Sequence, residues 1–263
     1  MIRNLLLLTL TALLASCHTC VRCNLGAPRW IKPTEAELTA CNVPTGKRAK
    51  FDIIASYTKG AGNFEAVRKT IQVGDLVAVR MTEKEKRDGV KHGSVKAVSY
   101  MVMKYAHMAI VVKDPKDPKV LCLYTSQGAR GPNIEDGLDE LELHTIDIYR
   151  LDRWKQLDMV RLNEFVVTSL KKKNKIFGYN FIGMVGIWSN YLEPKSPKDI
   201  GDDYLCSTAV AAALHYAGLD LDAVRCCEAF NMISPLRVVT STGRMMVPEK
   251  MMVDERKVLY SEL

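Results

Sequence analysis

Two hydrophobic rhythms divide this chain. One is helical: Ala209, Val210, Ala213, Leu214 and Ala217 share a face of an alanine-rich run, which predicts a buried helix that Gly218 closes in a left-handed cap. Phe165, Val166, Ser169 and Leu170 recur at the same spacing between Leu162 and about Lys175, with lysines toward the C-terminal end, where cations suit the helix dipole. The other rhythm is strand-like. Ile71 to Arg80 reads as a Gly74-Asp75 turn feeding a strand, and Tyr105 to Val112 is a near-continuous β-branched run suited to a central strand. Asp114-Pro115-Lys116-Asp117-Pro118 turns the chain and Val120 to Thr125 returns it, which predicts a hairpin. Equal arms about that turn set His107 opposite Tyr124. Thr145 to Leu151 alternates like an edge strand.

Polar stretches punctuate these elements. Residues 24–70 carry repeated Pro and Gly and read as a tether with irregular structure or a short helix, and residues 83–96 read as a charged loop over one face. With no internal repeat and no second hydrophobic core, one domain over residues 71–263 is the economical organisation.

The first residues change the picture. Arg3 precedes an apolar run from Leu5 to Leu14, too short for a membrane span and suited to a secretory signal, so residues 1–16 stand outside the fold. Leu14-Ala15-Ser16-Cys17 looks like the lipobox of a bacterial lipoprotein. That resemblance implies cleavage before Cys17, lipid attachment at Cys17, and a lipidated tether with an N-terminal extension over residues 17–70. The protein would then be exported across the inner membrane, and His18, where Asp would retain it there, favours the periplasmic face of the outer membrane.

Composition adds less. The formal charge of +7 eases approach to anionic lipid headgroups or acidic wall peptides, and export argues against nucleic acid as a partner. Of the eight cysteines, Cys20, Cys23 and Cys41 either pair among themselves or stay free in the tether, and the sequence does not decide the connectivity. No nucleotide or metal motif with complete ligand spacing appears, so neither a cofactor nor a metal is expected.

The candidate chemistry sits at Tyr204-Leu205-Cys206-Ser207. Cys206 falls in the first turn of the alanine-rich helix, where unpaired N–H groups and the positive end of the dipole favour a thiolate. A buried cysteine acting as a small hydrophobe fits the same stretch.

Four short motifs, in order, then resemble one family: Gly74-Asp75-Leu76 before a strand, Ala106-His107-Met108-Ala109-Ile110-Val111, Gly178-Tyr179-Asn180-Phe181 after a helix, and Tyr204-Leu205-Cys206-Ser207 opening another. The family is the circularly permuted NlpC-type group of papain-like cysteine hydrolases, the YiiX/YaeF-like lipoproteins, with distant lecithin–retinol acyltransferase-like relatives. The resemblance implies an α+β, papain-like fold with a central antiparallel sheet packed against helices and a nucleophile at a helix N-terminus. It implies Cys206 as nucleophile and His107 as base, with Gly74, Asp75, Tyr179, Tyr204 and Ser207 around the substrate. Where that family often carries a carboxylate after the histidine strand, this chain has Tyr124, with Thr125, Ser126 and Gln127 following, so Tyr124 or Ser126 would orient the imidazole. The implied activity is thiol-dependent hydrolysis or acyl transfer at an amide or ester, foremost of a cell-wall peptide. A lipid acyl substrate, or a non-catalytic peptide- or lipid-binding lipoprotein, are the alternatives.

Overall fold

The computed structural model describes residues 30–31, 48–91, 104–127, 131–135, 137–153, 157–172, 192–201, 204–221 and 233–248. The expectations at Cys17, Cys20, Cys23, Cys41 and Tyr179 lie outside the described residues. Along the chain the elements are β1 (Trp30–Ile31), β2 (Ala49–Tyr57), α1 (Phe64–Arg68), β3 (Leu76–Arg80), α2 (Glu83–Lys91), β4 (Tyr105–Lys113), β5 (Leu121–Gln127), β6 (Gly131–Glu135), and a 3₁₀ turn at Asp139–Leu143. There follow β7 (Ile146–Leu151), α3 (Met159–Lys172), α4 (Cys206–Tyr216), β8 (Leu219–Leu221), α5 (Pro235–Thr240), β9 (Thr242–Met245) and β10 (Val247–Pro248). Among the described residues the main sheet has eight antiparallel strands in the order β6-β5-β4-β3-β7-β2-β9-β8, and β1 pairs with β10. The fold is therefore α+β with an open antiparallel sheet. No helix among the described residues is long and apolar enough to cross a membrane.

Strand alternation sends side chains to two separate cores. Leu76, Ala78, Met108, Ile110, Val112, Cys122 and Tyr124 face α3, α4 and α5, while Val77, Ala109, Val111, Leu123, Ile146 and Ile148 face α1 and the 3₁₀ turn. Helix α4 is buried along its whole length, and its alanines let it lie close to the sheet. Gly218, at φ +96°, ends it in the left-handed cap that the sequence predicts.

Several expectations need correction. The sheet begins at Ala49 and not after residue 70, since β2 lies inside it between β7 and β9. Its apolar pattern is broken because the register with β7 shifts between Ile53 and Ala55, which leaves both Ile53 and Ile54 exposed. Residues Glu83–Lys91 form a helix where a loop is expected. Thr82 Oγ1 accepts from Glu85 N–H, and the Glu85 carboxylate accepts from Thr82 N–H, a reciprocal cap written in the sequence as Thr-x-x-Glu. Strand β7 is interior and not an edge. Its alternate polar position, Asp147, is buried in a hydrogen-bonded network instead of being solvated.

That network fixes the α4-facing side of the sheet. The Asp147 carboxylate accepts from Arg80 Nε at 2.9 Å, Ser56 Oγ at 2.6 Å and Tyr105 Oη at 2.6 Å, and the Tyr105 and Tyr149 hydroxyls meet at 2.5 Å. Burial alone would raise the Asp147 carboxyl, but Arg80, Ser56 and Tyr105 outweigh it and hold it at about 2.

Candidate functional site

Cys206 is the first residue of α4 and is 7% exposed. Leu205, in extended conformation, caps the helix, and its N–H donates to Thr208 Oγ1 at 2.8 Å. Burial pushes the Cys206 thiol up. The backbone N–H groups of Met108, Ser207 and Cys206 itself, with the Ser207 hydroxyl, bear on the sulfur and oppose that shift without cancelling it. Cys206 is therefore a thiol at neutral pH, with nearby donors that would favour negative charge.

The Met108 N–H that meets this sulfur belongs to the residue after His107. The β4–β5 ladder runs from Lys113↔Leu121 to Ile110↔Tyr124 and goes no further toward His107. There a side chain replaces the ladder: Thr125 Oγ1 donates to Met108 O at 2.7 Å and lies 3.0 Å from His107 Nε2. A hydroxyl has one hydrogen, and Met108 O takes it, so Nε2 must carry the proton shared with Thr125 and Nδ1 bears the lone pair. Burial, reinforced by the like charge of His144, lowers His107 to about 4, so the ring is neutral at pH 7. Nδ1 is a bare base.

The hairpin register differs from the expected one, and this moves the residue that orients the ring. Asp114 and Asp117 each accept a backbone N–H two residues on, and Val120 N–H donates to Asp117 O, so Val120 belongs to the turn and not the strand. Tyr124 consequently pairs with Ile110 and faces α3, where its hydroxyl meets Ser169 Oγ at 2.8 Å and its ring packs edge-on against Phe165. Ser126 Oγ donates to the carbonyl of Tyr204. Neither side chain bonds to His107. Thr125 does.

His107 opens onto a cleft of about 320 Å³ on the sheet face opposite α4, floored by Val77, Val79, Ala109 and Leu123 and edged by Ser126, Gln127, Glu135 and His144. Cys206 is not among its walls, and among the described residues no hydrogen bond joins Cys206 to His107. Between them lies the opened end of the ladder. Across β5 from Thr125, in register, stands Asn133 on the edge strand. Its residue is 7% exposed and its amide Nδ2 is buried with no hydrogen-bond partner among the described residues.

The remaining expected site residues have other tasks. Gly74 adopts φ +90° and makes the tight turn that lets Val111 N–H reach Asp75 O. The Asp75 carboxylate is buried, bound by Arg150 Nε at 2.7 Å and Arg150 Nη2 at 2.8 Å, and accepts from Gln72 N–H. Gly74 and Asp75 thus brace the sheet four residues along β4 from His107, about 13 Å away at strand rise, and line no common site with it. Tyr204 is fully buried, with its hydroxyl accepting from Gly201 N–H at 2.8 Å and its ring against Phe165, so it supports α4 from behind. Ser207 is buried beside the sulfur. One further grouping, Glu193, His215 and Asp220, brings three metal-ligand atoms together at the other end of α4.

Compared with known protein families, with curated proteins and with solved structures, the chain matches none.

Proposed function

We propose that this chain is a thiol-dependent hydrolase or acyltransferase of the permuted NlpC-type, papain-like group, with Cys206 as nucleophile and His107 as base. The observation that carries this reading is a thiol on the first residue of α4, whose upward shift by burial is opposed by backbone N–H groups that include that of Met108, next to His107. For this step His107 and the Cys206 sulfur must come together across the opened end of the β4–β5 ladder, where Nδ1 takes the Cys206 proton. The thiolate attacks an amide or ester carbonyl, and the N–H groups of Met108 and the α4 start receive the oxyanion. Protonated His107 then gives its proton to the leaving amine or alkoxide, and water or an acceptor alcohol releases the acyl group from sulfur. A cell-wall peptide is the preferred substrate and a lipid ester the second. The chain would reach either from a lipid anchor at Cys17 on the periplasmic side of the outer membrane.

A second reading is a peptide- or lipid-binding lipoprotein without turnover. It is favoured by the polar, apolar-floored cleft at His107, which Cys206 does not line. Incubation with muropeptides and, separately, with phospholipid vesicles separates the two. The hydrolase reading expects products from one of them, an acyl adduct on Cys206 by mass spectrometry, and loss of both in Cys206→Ala and His107→Ala. Binding without products or adduct, or products undiminished in Cys206→Ala, would overturn it.

A further inference from the structure

We propose that Glu193, His215 and Asp220 form a binding site for one divalent transition-metal cation, with zinc the best fit. Each offers one ligand atom, and the three atoms lie within 4.8 Å of one another. Ligands of a tetrahedral zinc with bonds of about 2.1 Å sit about 3.4 Å apart, so closure of at most about 1.4 Å completes the set. The donor chemistry is selective. One imidazole nitrogen with two carboxylate oxygens suits zinc, whereas magnesium and calcium prefer oxygen alone and copper(I) prefers thiolate. Three protein ligands leave a fourth position for water.

Charge points the same way. His215 and Asp220 are 2% and 4% exposed and Glu193 is half-buried, so a buried and a half-buried carboxylate converge on a buried imidazole. A protonated imidazole cancels one of the two negative charges, and a divalent cation cancels both.

The scaffold holds the three ligands from independent directions. His215 lies in the last turn of α4 and Asp220 in β8, joined by a turn whose carbonyls at Ala217 and Gly218 accept from Asp158 N–H and Met246 N–H. At Gly243 a Cβ would come within 2.8 Å of Asp220 O, so β9 is free to press against the Asp220 backbone. Glu193 belongs to residues 192–201, which Lys172 Nζ ties down through the carbonyls of Pro197, Lys198 and Ile200. A bound cation would staple this segment to the C-terminal end of α4, about 13 Å along the helix from Cys206.

Metal-stripped full-length chain, its accessible thiols blocked with N-ethylmaleimide, is titrated with zinc by calorimetry and with cobalt(II) by visible absorption. The expected result is one equivalent of either metal, cobalt d–d bands without thiolate charge transfer, and a rise in melting temperature. Asp220→Asn and Glu193→Gln should each weaken binding about tenfold or more and abolish the rise. If Asp220→Asn fails to fold, the half-buried Glu193→Gln decides alone. Absence of saturable binding, thiolate charge transfer in place of the expected bands, or unchanged affinity in Glu193→Gln would overturn the proposal and leave a hydrogen-bonded cluster around His215.

Discussion

Tyr105 and His107 are two residues apart on one strand, yet they serve opposite faces of the sheet. On Tyr105's side the polar groups of one network answer one another: Asp147 collects Arg80, Ser56 and Tyr105, and Tyr149 closes the circuit. On His107's side the answers run out. Thr125 fills the place of a missing ladder pair, and among the described residues His107 Nδ1 and Asn133 Nδ2 have no hydrogen-bond partner. The switch is made by the irregularity in β4, where Val79 pairs with His107 but Arg80 pairs with Tyr105, so one residue, Ala106, is left over. A closed network holds the sheet together. An incompletely satisfied one beside a cleft is where a ligand could supply what the protein leaves out.

The sharpest way to break the comparison is at its closed side. Asp147→Ala should destabilise the protein by about 4 kcal/mol, because it leaves Tyr105 and Arg80 facing a buried void. Urea unfolding measures this, and a loss below about 1 kcal/mol would mean that the network is not the brace described.

On the open side the lever is pH. His107 at about 4 lies below the usual 6.5, so the unfolded chain binds the extra proton first as pH falls. The associated stability is present above pH 6.5 and is lost as pH drops toward 4, by about 3 kcal/mol over the window. His107→Gln should flatten that part of the stability profile, and an unchanged profile would place the ring in solvent.

The smallest effect sharpens the chemistry. Thr125→Val removes the acceptor of Nε2–H and the donor to Met108 O, at a cost of about 2 kcal/mol. Nitrogen chemical shifts should then show a larger share of the Nδ1–H tautomer of His107. A fixed tautomer would mean that Thr125 does not set it.

The elements around Cys206 were legible because they depend on local pattern. Alanines at helical spacing and Gly218 mark α4, and the β-branched run marks β4. The orienting hydroxyl was not legible, because one counts a register from the turn, and Asp114 and Asp117 fold Val120 into that turn through side-chain bonds that periodicity does not record. β2 was hidden by its own irregularity, since Ile53 and Ile54 side by side spoil the alternation that announces a strand. Helix α2 could have been found from Thr82 and Glu85. Glu193, His215 and Asp220 share no spacing at all, and only the packing of residues 192–201 against α4 and β8 assembles them.

The placement of β2 also governs when this protein can fold. Its neighbours are β7, about 90 to 100 residues downstream, and β9, about 190 residues downstream. The first long strand therefore waits for both, and closing such loops before any contact rewards them makes folding slow. The chain must leave the ribosome past β9, about 190 residues beyond β2, before the strand can be inserted between its two partners. Until β9 arrives one edge of β2 stays unpaired, free to be held by a chaperone or to pair wrongly with another copy.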